Sequence, residues 1–391
     1  PYPASLYTGL SRLFKMAFGL DYTVCIVVMA ILTGIYVIAG GYMATAINDF
    51  IQGLIMLAGI IAVIAAVLAS KGGFMEALNG LAAVSDPAVS NAPGVFNSFF
   101  GPDPLGLLGV VILTSLGTWG LPQMVQKFYA IKSEAAVRKG AIISTIFAVI
   151  VAGGCYFLGG FGRLFSGSIE LSPSGIPVGG YDAIIPSMLS GLPDLLIAIV
   201  VILVLSASMS TLSSLVLASS STITLDLLKG NIVKKMDEKR QVRIIRIFVV
   251  VFILISAAIA VFQYRSSQSA TSSNSATFIA QLMGVSWGAL AGAFLAPFLY
   301  SLYWRRTTKA SCWVCFIFGS VLMILNMLFR ASFPAVLQSP INCGAFAMVA
   351  GLILVPLVSS FTRKPDAALV DGSFACYDVK VSVSQKRALT D

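Results

Sequence analysis

The sequence predicts an all-α integral membrane protein, and three observations lead to this fold class. Of 391 residues, 58% are hydrophobic and only 10% are charged, whereas about a quarter of a soluble domain is charged. Nine apolar stretches are long enough to cross a bilayer, and they lack the roughly ten-residue alternation of barrel strands. A helix satisfies its own backbone polar groups in hydrocarbon, so the spans are predicted to be helical.

The predicted spans form one transmembrane domain, residues 1–361, which is followed by a tail, 362–391, to which we assign no fold. The spans are 22–41, 45–70, 105–128, 137–161, 188–225, 243–263, 276–303, 310–330 and 340–361. Two of them, 188–225 and 276–303, are longer than one crossing requires. We expect them to tilt, break or continue past the membrane surface.

The distribution of basic residues predicts the orientation of the chain. Of the 25 Lys and Arg residues, 19 fall on one set of alternating connections and the tail, and six fall on the other set. Cytoplasmic segments carry the basic excess, so we expect a multi-pass protein of the cell membrane with a cytoplasmic carboxyl terminus. The net charge of +9 then reflects this orientation, and we expect no nucleic-acid partner. The long connections 71–104 and 162–187 lie outside and have room for a short lid helix.

The absence of histidine from the sequence excludes several enzyme classes. Ser-His-Asp triads, HExxH zinc sites and haem held by histidine all require this residue. We therefore predict that the chain is not an enzyme. Cys312 and Cys315 form one CxxC pair within a predicted span, but a lone pair is weak evidence for metal binding. Packing as small apolar side chains is the favoured interpretation.

A hydroxyl-rich segment lies within the fifth predicted span, SASMSTLSSLVLASSSTIT at 206–224. Ala207, Ser210, Thr211 and Ser214 follow helical spacing and share one face. Hydroxyl and carbonyl oxygens on such a face can bind a hard monovalent cation such as sodium. A seam of small residues for close helix packing is the alternative, and spacing alone favours it.

The third predicted span contains an interruption, TSLGTWGLPQMVQK at 114–127. Proline removes a backbone donor and glycine weakens a helix, so unpaired backbone groups can face a cavity within the membrane. Carriers bind solutes at broken helices of this kind, although a kink without a ligand is equally compatible. Trp119 can cover a solute, or it can serve in packing or as an interface anchor.

Asp49 lies at the predicted cytoplasmic entrance of the second span. A carboxylate there is either a group on an ion pathway or a residue favoured at a helix start by the helix dipole. Position alone favours the second interpretation.

These segments resemble the sodium/solute symporter family. IYVIAGGYMATAINDFIQG is similar to the family's span-loop-span with its acidic residue, and GTWGLPQMVQKFYAIKS to its glycine-proline broken helix and basic loop. ASMSTLSSLVLASSSTIT is similar to the family's hydroxyl-rich sodium helix, and WGALAGAFLAPFLYSLYWRRTTKAS to a helix that ends in a basic loop. The resemblance covers about 1–330, and the hydroxyl-rich motif is its most specific part.

The resemblance implies a five-plus-five inverted-repeat transporter fold with extra helices. It also implies that the family's first two core helices and most of the third are missing from the residues present here. Sodium, the co-transported ion, would bind the Ala207 carbonyl and the Ser210 and Thr211 hydroxyls. Asp49 would serve ion coupling or release. The side chains expected to face the solute are Thr114, Thr118, Trp119 and Gln123.

The chain also departs from the family's proline carriers. Those carriers have aromatic residues eight and four positions before the motif proline, where this chain has Thr114 and Thr118. This difference argues against proline as the solute.

The favoured function is sodium-coupled symport of a small organic solute across the cell membrane by alternating access. A carrier-like membrane sensor that signals without transport is the alternative, and a long carboxyl-terminal catalytic domain would support it. An ion channel is less compatible, because nothing in the sequence resembles a selectivity-filter loop.

Overall fold

The computed structural model describes residues 2–86, 89–128, 131, 133–168, 182, 184–233, 236–269 and 279–378, and its regular structure over these ranges is helical. The α-helices are α1 (Tyr2–Phe18), α2 (Tyr22–Ala69), α3 (Phe74–Ala83), α4 (Pro104–Gly117), α5 (Pro122–Phe128), α6 (Glu134–Gly160), α7 (Ile184–Leu189), α8 (Asp194–Ser221), α9 (Glu238–Ser269), α10 (Ile279–Tyr303), α11 (Lys309–Leu328), α12 (Ala335–Gln338), α13 (Pro340–Phe361) and α14 (Ala367–Asp378). Helices of the 3-10 type cover Val95–Asn97, Thr118–Gly120, Phe161–Ser168 and Arg330–Ser332, and a π-helix covers Thr222–Ile232.

Eight helical segments within the described residues are long and apolar enough to cross a membrane. They are Tyr22–Ala39, Ala46–Ala69, Glu134–Phe165, Asp194–Lys229, Glu238–Arg265, Ile279–Tyr303, Lys309–Leu328 and Pro340–Phe361. Each overlaps one of the stretches predicted from the sequence. The remaining stretch, 105–128, consists of α4 and α5 with a 3-10 turn between them.

The long helix α2 contains two of these spans and bends between them. A straight helix of this length would measure about 72 Å, more than twice the thickness of the hydrocarbon core. The Tyr36 side chain nevertheless lies close to the side chain of Asn48. A straight helix would separate these two residues by about 18 Å along its axis. The helix must therefore bend between Tyr36 and Asn48, after Tyr22–Ala39 and before most of Ala46–Ala69.

The helix with the hydroxyl-rich segment, α8, begins later than the sequence predicted. Pro193 occupies its N-cap position, and the residues before it form the separate short helix α7. Gly191 and Pro193 interrupt the helix because neither favours a continuous helical backbone. At its other end α8 continues as the π-helix, where the Val233 amide donates to the Leu228 carbonyl at 2.7 Å.

The tail, for which the sequence analysis assigned no fold, contains helix α14. Arg305 forms an ion pair with Asp371 at 3.0 Å, and the Tyr377 hydroxyl donates to the Leu302 carbonyl at 3.1 Å. These contacts place α14 beside the end of α10 and the connection that follows it, and they join residues that are far apart in the sequence. The rest of the predicted tail, 379–391, lies outside the described residues.

The chain divides into two compact units. The first comprises 1–108 and 122–286, and the second comprises 109–121 and 287–391. The largest core of the first unit joins α1, α2, α8 and α9. Its fully buried side chains include Tyr7, Leu10, Ile26, Met29, Leu212, Val216 and Ile253. This core buries one side of α8, while a different side carries the predicted sodium residues.

Glycines allow α10, α11 and α13 to pack closely in the second unit. A Cβ atom on Gly319 of α11 would overlap the carbonyl carbon of Gly292 on α10. A Cβ on Gly292 would in turn lie 2.8 Å from the Cβ of Ala347 on α13. The Cys315 thiol donates to the Gly292 carbonyl at 3.4 Å, so this member of the CxxC pair lies in the same packed seam. Small residues permit this backbone approach, on which helix association in lipid depends.

We predict that Gly319→Ala destabilises the protein, because a methyl group at this position meets backbone atoms that cannot move aside. Overpacking of this kind costs roughly 1–3 kcal/mol. Gly153→Ala on α6 is the matched control, because no atom lies within 4 Å of its added Cβ. The unfolding midpoints of the two purified variants in detergent test the prediction. Equal midpoints would show that the seam adapts to a methyl group.

Candidate functional site

The predicted sodium face of α8 is half-buried along its length. Ala207, Ser210, Thr211 and Ser214 all have intermediate exposure. Ser213, on another side of the helix, is fully buried. Part of the surface of these four residues is therefore uncovered by the rest of the structure, and a cation could reach their oxygen atoms there.

Two of the three predicted sodium ligands lie in direct contact. The Thr211 hydroxyl donates to the Ala207 carbonyl at 3.0 Å, and the Ser213 hydroxyl donates to the Ser210 carbonyl at 2.9 Å. A hydroxyl that donates its proton to a carbonyl still has oxygen lone pairs. The Ala207 and Thr211 oxygens are thus paired, neutral and of the hard type that binds alkali and alkaline-earth cations. Their chemistry fits a monovalent cation, which does not require a carboxylate.

Asp49 is half-buried on the second spanning part of α2. Its carboxylate lies in the neighbourhood of the Tyr36 hydroxyl, and Asn48 approaches the same hydroxyl. The bend in α2 brings Asn48 and Asp49 back to the side chain of Tyr36, and these three polar residues therefore lie together. Gln52, one turn further along, is also buried.

The helix interruption between α4 and α5 is present at the predicted place. α4 ends at Gly117, a 3-10 turn covers Thr118–Gly120, and Leu121 is extended with φ −87° and ψ 115°. Pro122 then begins α5. The 3-10 turn and the extended residue break the regular i to i−4 backbone ladder within an apolar stretch.

The glycines at the interruption have a packing role that the sequence analysis did not assign. A Cβ on Gly120 would lie 2.9 Å from the Leu295 Cβ and 3.0 Å from the Cα atoms of Ala291 and Leu295. The broken helix therefore touches the backbone of α10 in the second unit. Gly117 faces the same helix at ordinary van der Waals distances, the nearest atom being in Trp287 at 3.6 Å. Gly117 and Gly120 are three residues apart and so lie on one face of the helix. This spacing of two glycines is the sequence signal that predicts close contact with another helix.

The predicted solute residues lie on both sides of the interruption. Thr114 and Thr118 are half-buried, and their hydroxyls donate to the Val110 carbonyl at 2.8 Å and the Ser115 carbonyl at 3.1 Å. Trp119 is 59% exposed, so its indole ring is largely uncovered by described residues. Gln123 is buried at the start of α5, a helix that contacts α8 within the first unit.

The structure thus places Ala207 beside Thr211 and Gln123 on a helix that contacts α8. Asp49 lies with Tyr36, which the sequence analysis did not single out. Thr114, Thr118 and Trp119 belong to the second unit, and the contacts described for them are local.

An all-helical chain with these spans, a broken helix and a hydroxyl-rich helix is of the class of membrane transporters. A model of the sodium:solute symporter family matches residues 3–319. The chain therefore belongs to this family, as its motifs predicted, and its relatives are transporters.

Named relatives and a solved structure agree with this assignment. The chain is 29% identical over 378 residues to a sodium/proline symporter of Staphylococcus aureus, covering 94% of this chain and 68% of the relative. A symporter of the same name from S. aureus strain Newman is 28% identical over 378 residues, with coverages of 94% and 67%. A solved structure titled as the substrate-bound outward-open state of a Na+-coupled sialic acid symporter matches with a TM-score of 0.62. This match has 16% identity and covers 93% of this chain and 75% of the other, so it shows a shared transporter fold.

We predict opposite outcomes for two alanine substitutions in the broken helix. Gly120→Ala should displace the turn from α10, because the added methyl group meets backbone atoms of that helix, and should lower solute uptake per folded molecule by about tenfold. Gly117→Ala should be tolerated, because its Cβ has room and its backbone is helical at φ −57° and ψ −37°. Uptake into vesicles, normalised to monodisperse protein, measures the difference. Similar uptake by both variants would contradict the packing role of Gly120.

Proposed function

We propose that the chain is the greater part of a carrier that moves a small organic solute with sodium across the cell membrane by alternating access. The single observation that carries the proposal is the half-buried oxygen face of α8, in which the Ala207 carbonyl and the Thr211 hydroxyl lie 3.0 Å apart. Membership of a sodium:solute symporter family supports the choice of sodium as the driving ion.

In this proposal sodium binds the Ala207 carbonyl and the Ser210 and Thr211 hydroxyls. These groups are neutral, so a bound ion keeps its full charge and is released once the oxygen cage opens. Back-bonding from Thr211 to Ala207 holds one ligand in place before the ion arrives, which reduces the entropy lost on binding. Asp49, on α2, serves the ion pathway in this scheme, and its position near Tyr36 gives the carboxylate a polar neighbour.

The solute is expected to contact Thr114, Thr118, Trp119 and Gln123. Hydroxyls at the first two positions offer hydrogen bonds where aromatic side chains would offer a stacking surface. A polar small molecule suits such groups. Sodium and solute are coupled if each binds more tightly to the same conformation, since either ligand then increases the population that the other prefers.

We propose a cytoplasmic carboxyl terminus for this carrier. The connection between α10 and α11 carries Arg305, Arg306 and Lys309, and the segment after α13 carries Arg363 and Lys364. These basic residues satisfy the rule that cytoplasmic segments hold the positive excess.

The first test of the proposal is solute uptake by the full-length protein in membrane vesicles, with and without an inward sodium gradient. We expect uptake to require the gradient. Replacing both Ser210 and Thr211 by Ala should raise the half-saturating sodium concentration by about tenfold or more, as expected when two oxygen ligands are lost.

The control for this test is the double variant Ser213→Ala and Ser220→Ala. Both hydroxyls are fully buried and donate to carbonyls of their own helix, so their loss reports on packing. Gradient-independent uptake would refute symport. An equal change in sodium dependence in both double variants would instead show that the α8 hydroxyls act through stability.

A second prediction concerns the solute. With an inward sodium gradient, labelled proline should enter vesicles that contain the protein no faster than it enters vesicles without it. The reason is that Thr114 and Thr118 stand where the proline carriers have aromatic residues. A panel of other amino acids, sugars and carboxylates, each tested with the same gradient, identifies the solute class. Rapid sodium-dependent proline uptake would overturn this prediction and leave the symport proposal intact.

A further inference from the structure

A buried carboxylate, Asp182, contacts α1 and the start of α10 within the first unit, and it lies in a connection that the distribution of basic residues predicts to be outside. Both of its oxygens accept a hydrogen bond from the Ile279 amide, at 3.2 and 3.1 Å, and Ile279 is the first residue of α10. A carboxylate at a helix start satisfies a free backbone amide and is favoured by the helix dipole. Asp182 also lies 3.9 Å from the Arg12 guanidinium of α1.

The first helix approaches α10 closely at this point. A Cβ on Gly9, one turn before Arg12, would lie 3.0 Å from the Ile279 Cδ1 atom. Tyr22, at the start of α2, is near enough to Arg12 and Asp182 for both of their charges to act on its hydroxyl group. Its ring stacks on that of Tyr264 on α9, with centroids 3.8 Å apart. We call Arg12, Asp182, Ile279, Tyr22 and Tyr264 the outer polar cluster.

The charges of the outer polar cluster are largely withdrawn from solvent. The side chains of Asp182 and Arg12 are 9% and 20% exposed. Burial raises the pKa of the Asp182 carboxyl, and the Arg12 charge and the Ile279 amide oppose this effect without cancelling it. The Arg12 charge and the Ile279 amide therefore favour the carboxylate form of Asp182 against the desolvation that burial imposes. If the helices separate, water can solvate both charges, so burial of this pair opposes the closed arrangement while the pairing favours it.

A second ion pair, which joins two connections also predicted to lie outside, provides a contrast. Arg163 and Asp86 lie 2.8 Å apart, but their side chains are 39% and 35% exposed. Exposed pairs of this kind contribute little to stability, whatever their distance. Removal of Asp86 should therefore have a small effect, whereas removal of Asp182 takes the side-chain acceptor from the Ile279 amide and a nearby opposite charge from Arg12.

We infer that Asp182 is a positioning residue that holds the outer end of α1 against the start of α10 and so sets how readily the outer side of the first unit opens. The residue does not need to touch sodium or solute for this role. The inference rests on the proposed transport cycle only where it concerns uptake rates. Its statement about helix separation is independent of that cycle.

The test uses Cys25 as a reporter in the full-length protein with every other cysteine replaced. Cys25 lies one turn after Tyr22 and is 2% exposed. The probe is a membrane-impermeant maleimide added from outside. Asp182→Ala should increase the labelling rate by about tenfold or more, because a buried carboxylate with charged and amide partners is lost. Asp182→Asn, which keeps an oxygen acceptor for Ile279, should have an intermediate effect. Asp86→Ala is the matched control and should change the rate by less than about twofold.

Two results would overturn the inference. One is an unchanged labelling rate in folded Asp182→Ala or, should that variant not fold, in folded Asp182→Asn. The other is an equal increase in Asp182→Ala and Asp86→Ala, which would indicate a general loosening of the outer loops.

Measurements of sodium-dependent solute uptake distinguish a positioning role of Asp182 from a purely structural one. Loss of Asp182 should favour the outward-open state, so the half-saturating external sodium concentration should fall together with the maximal rate. A structural defect would lower the maximal rate alone, in proportion to folded protein, and would refute positioning. Because the labelling assay does not use transport, a failure of symport and a failure of this inference give different results.

Discussion

The absence of water from the bilayer core is the constraint on which the rest of the structure depends. Every backbone group in a span must be satisfied by the protein itself, so a departure from helix needs a local substitute. At the interruption after Gly117, a 3-10 turn continues the chain and the Thr118 hydroxyl donates to the Ser115 carbonyl. Near the end of α8, Ser220 and Thr224 donate to carbonyls of their own helix as it passes into the π-helix.

The same constraint explains the different uses of glycine and of hydroxyl groups. Helices in lipid gain little from burying apolar surface against one another, so they depend on close contact and on polar bonds. Gly120 and Gly319 bring backbones together. Buried hydroxyls join helix ends, as where the Ser359 hydroxyl donates to that of Ser311 at 2.8 Å. A composition rich in Gly, Ser and Thr thus suits close packing of helices, and it also suits the binding role proposed for α8. This is why spacing alone favoured the packing interpretation of the α8 segment.

The sequence predicted the helical class, the family and the place of the broken helix, because these depend on local composition and order. It also predicted that Ala207, Ser210 and Thr211 share a face, since helical periodicity is a local property. It did not predict the start of α8, where Gly191 and Pro193 lie inside an otherwise apolar run. It also missed helix α14, because the contacts that this helix makes, from Tyr377 to Leu302 and from Asp371 to Arg305, join residues far apart in sequence.

What the sequence determined by itself is which segments enter the membrane and which of their faces carry oxygen atoms, because apolar length and a 3.6-residue period suffice for both. Only the tertiary structure decided which of those faces are covered. It buried Ser213 and left Ser210 half-exposed, placed Asp49 beside Tyr36 through a bend in α2, and set Asp182 against Arg12 and the first amide of α10. Such pairings join residues that are distant along the chain. No local pattern contains them, since they follow from how helices cross.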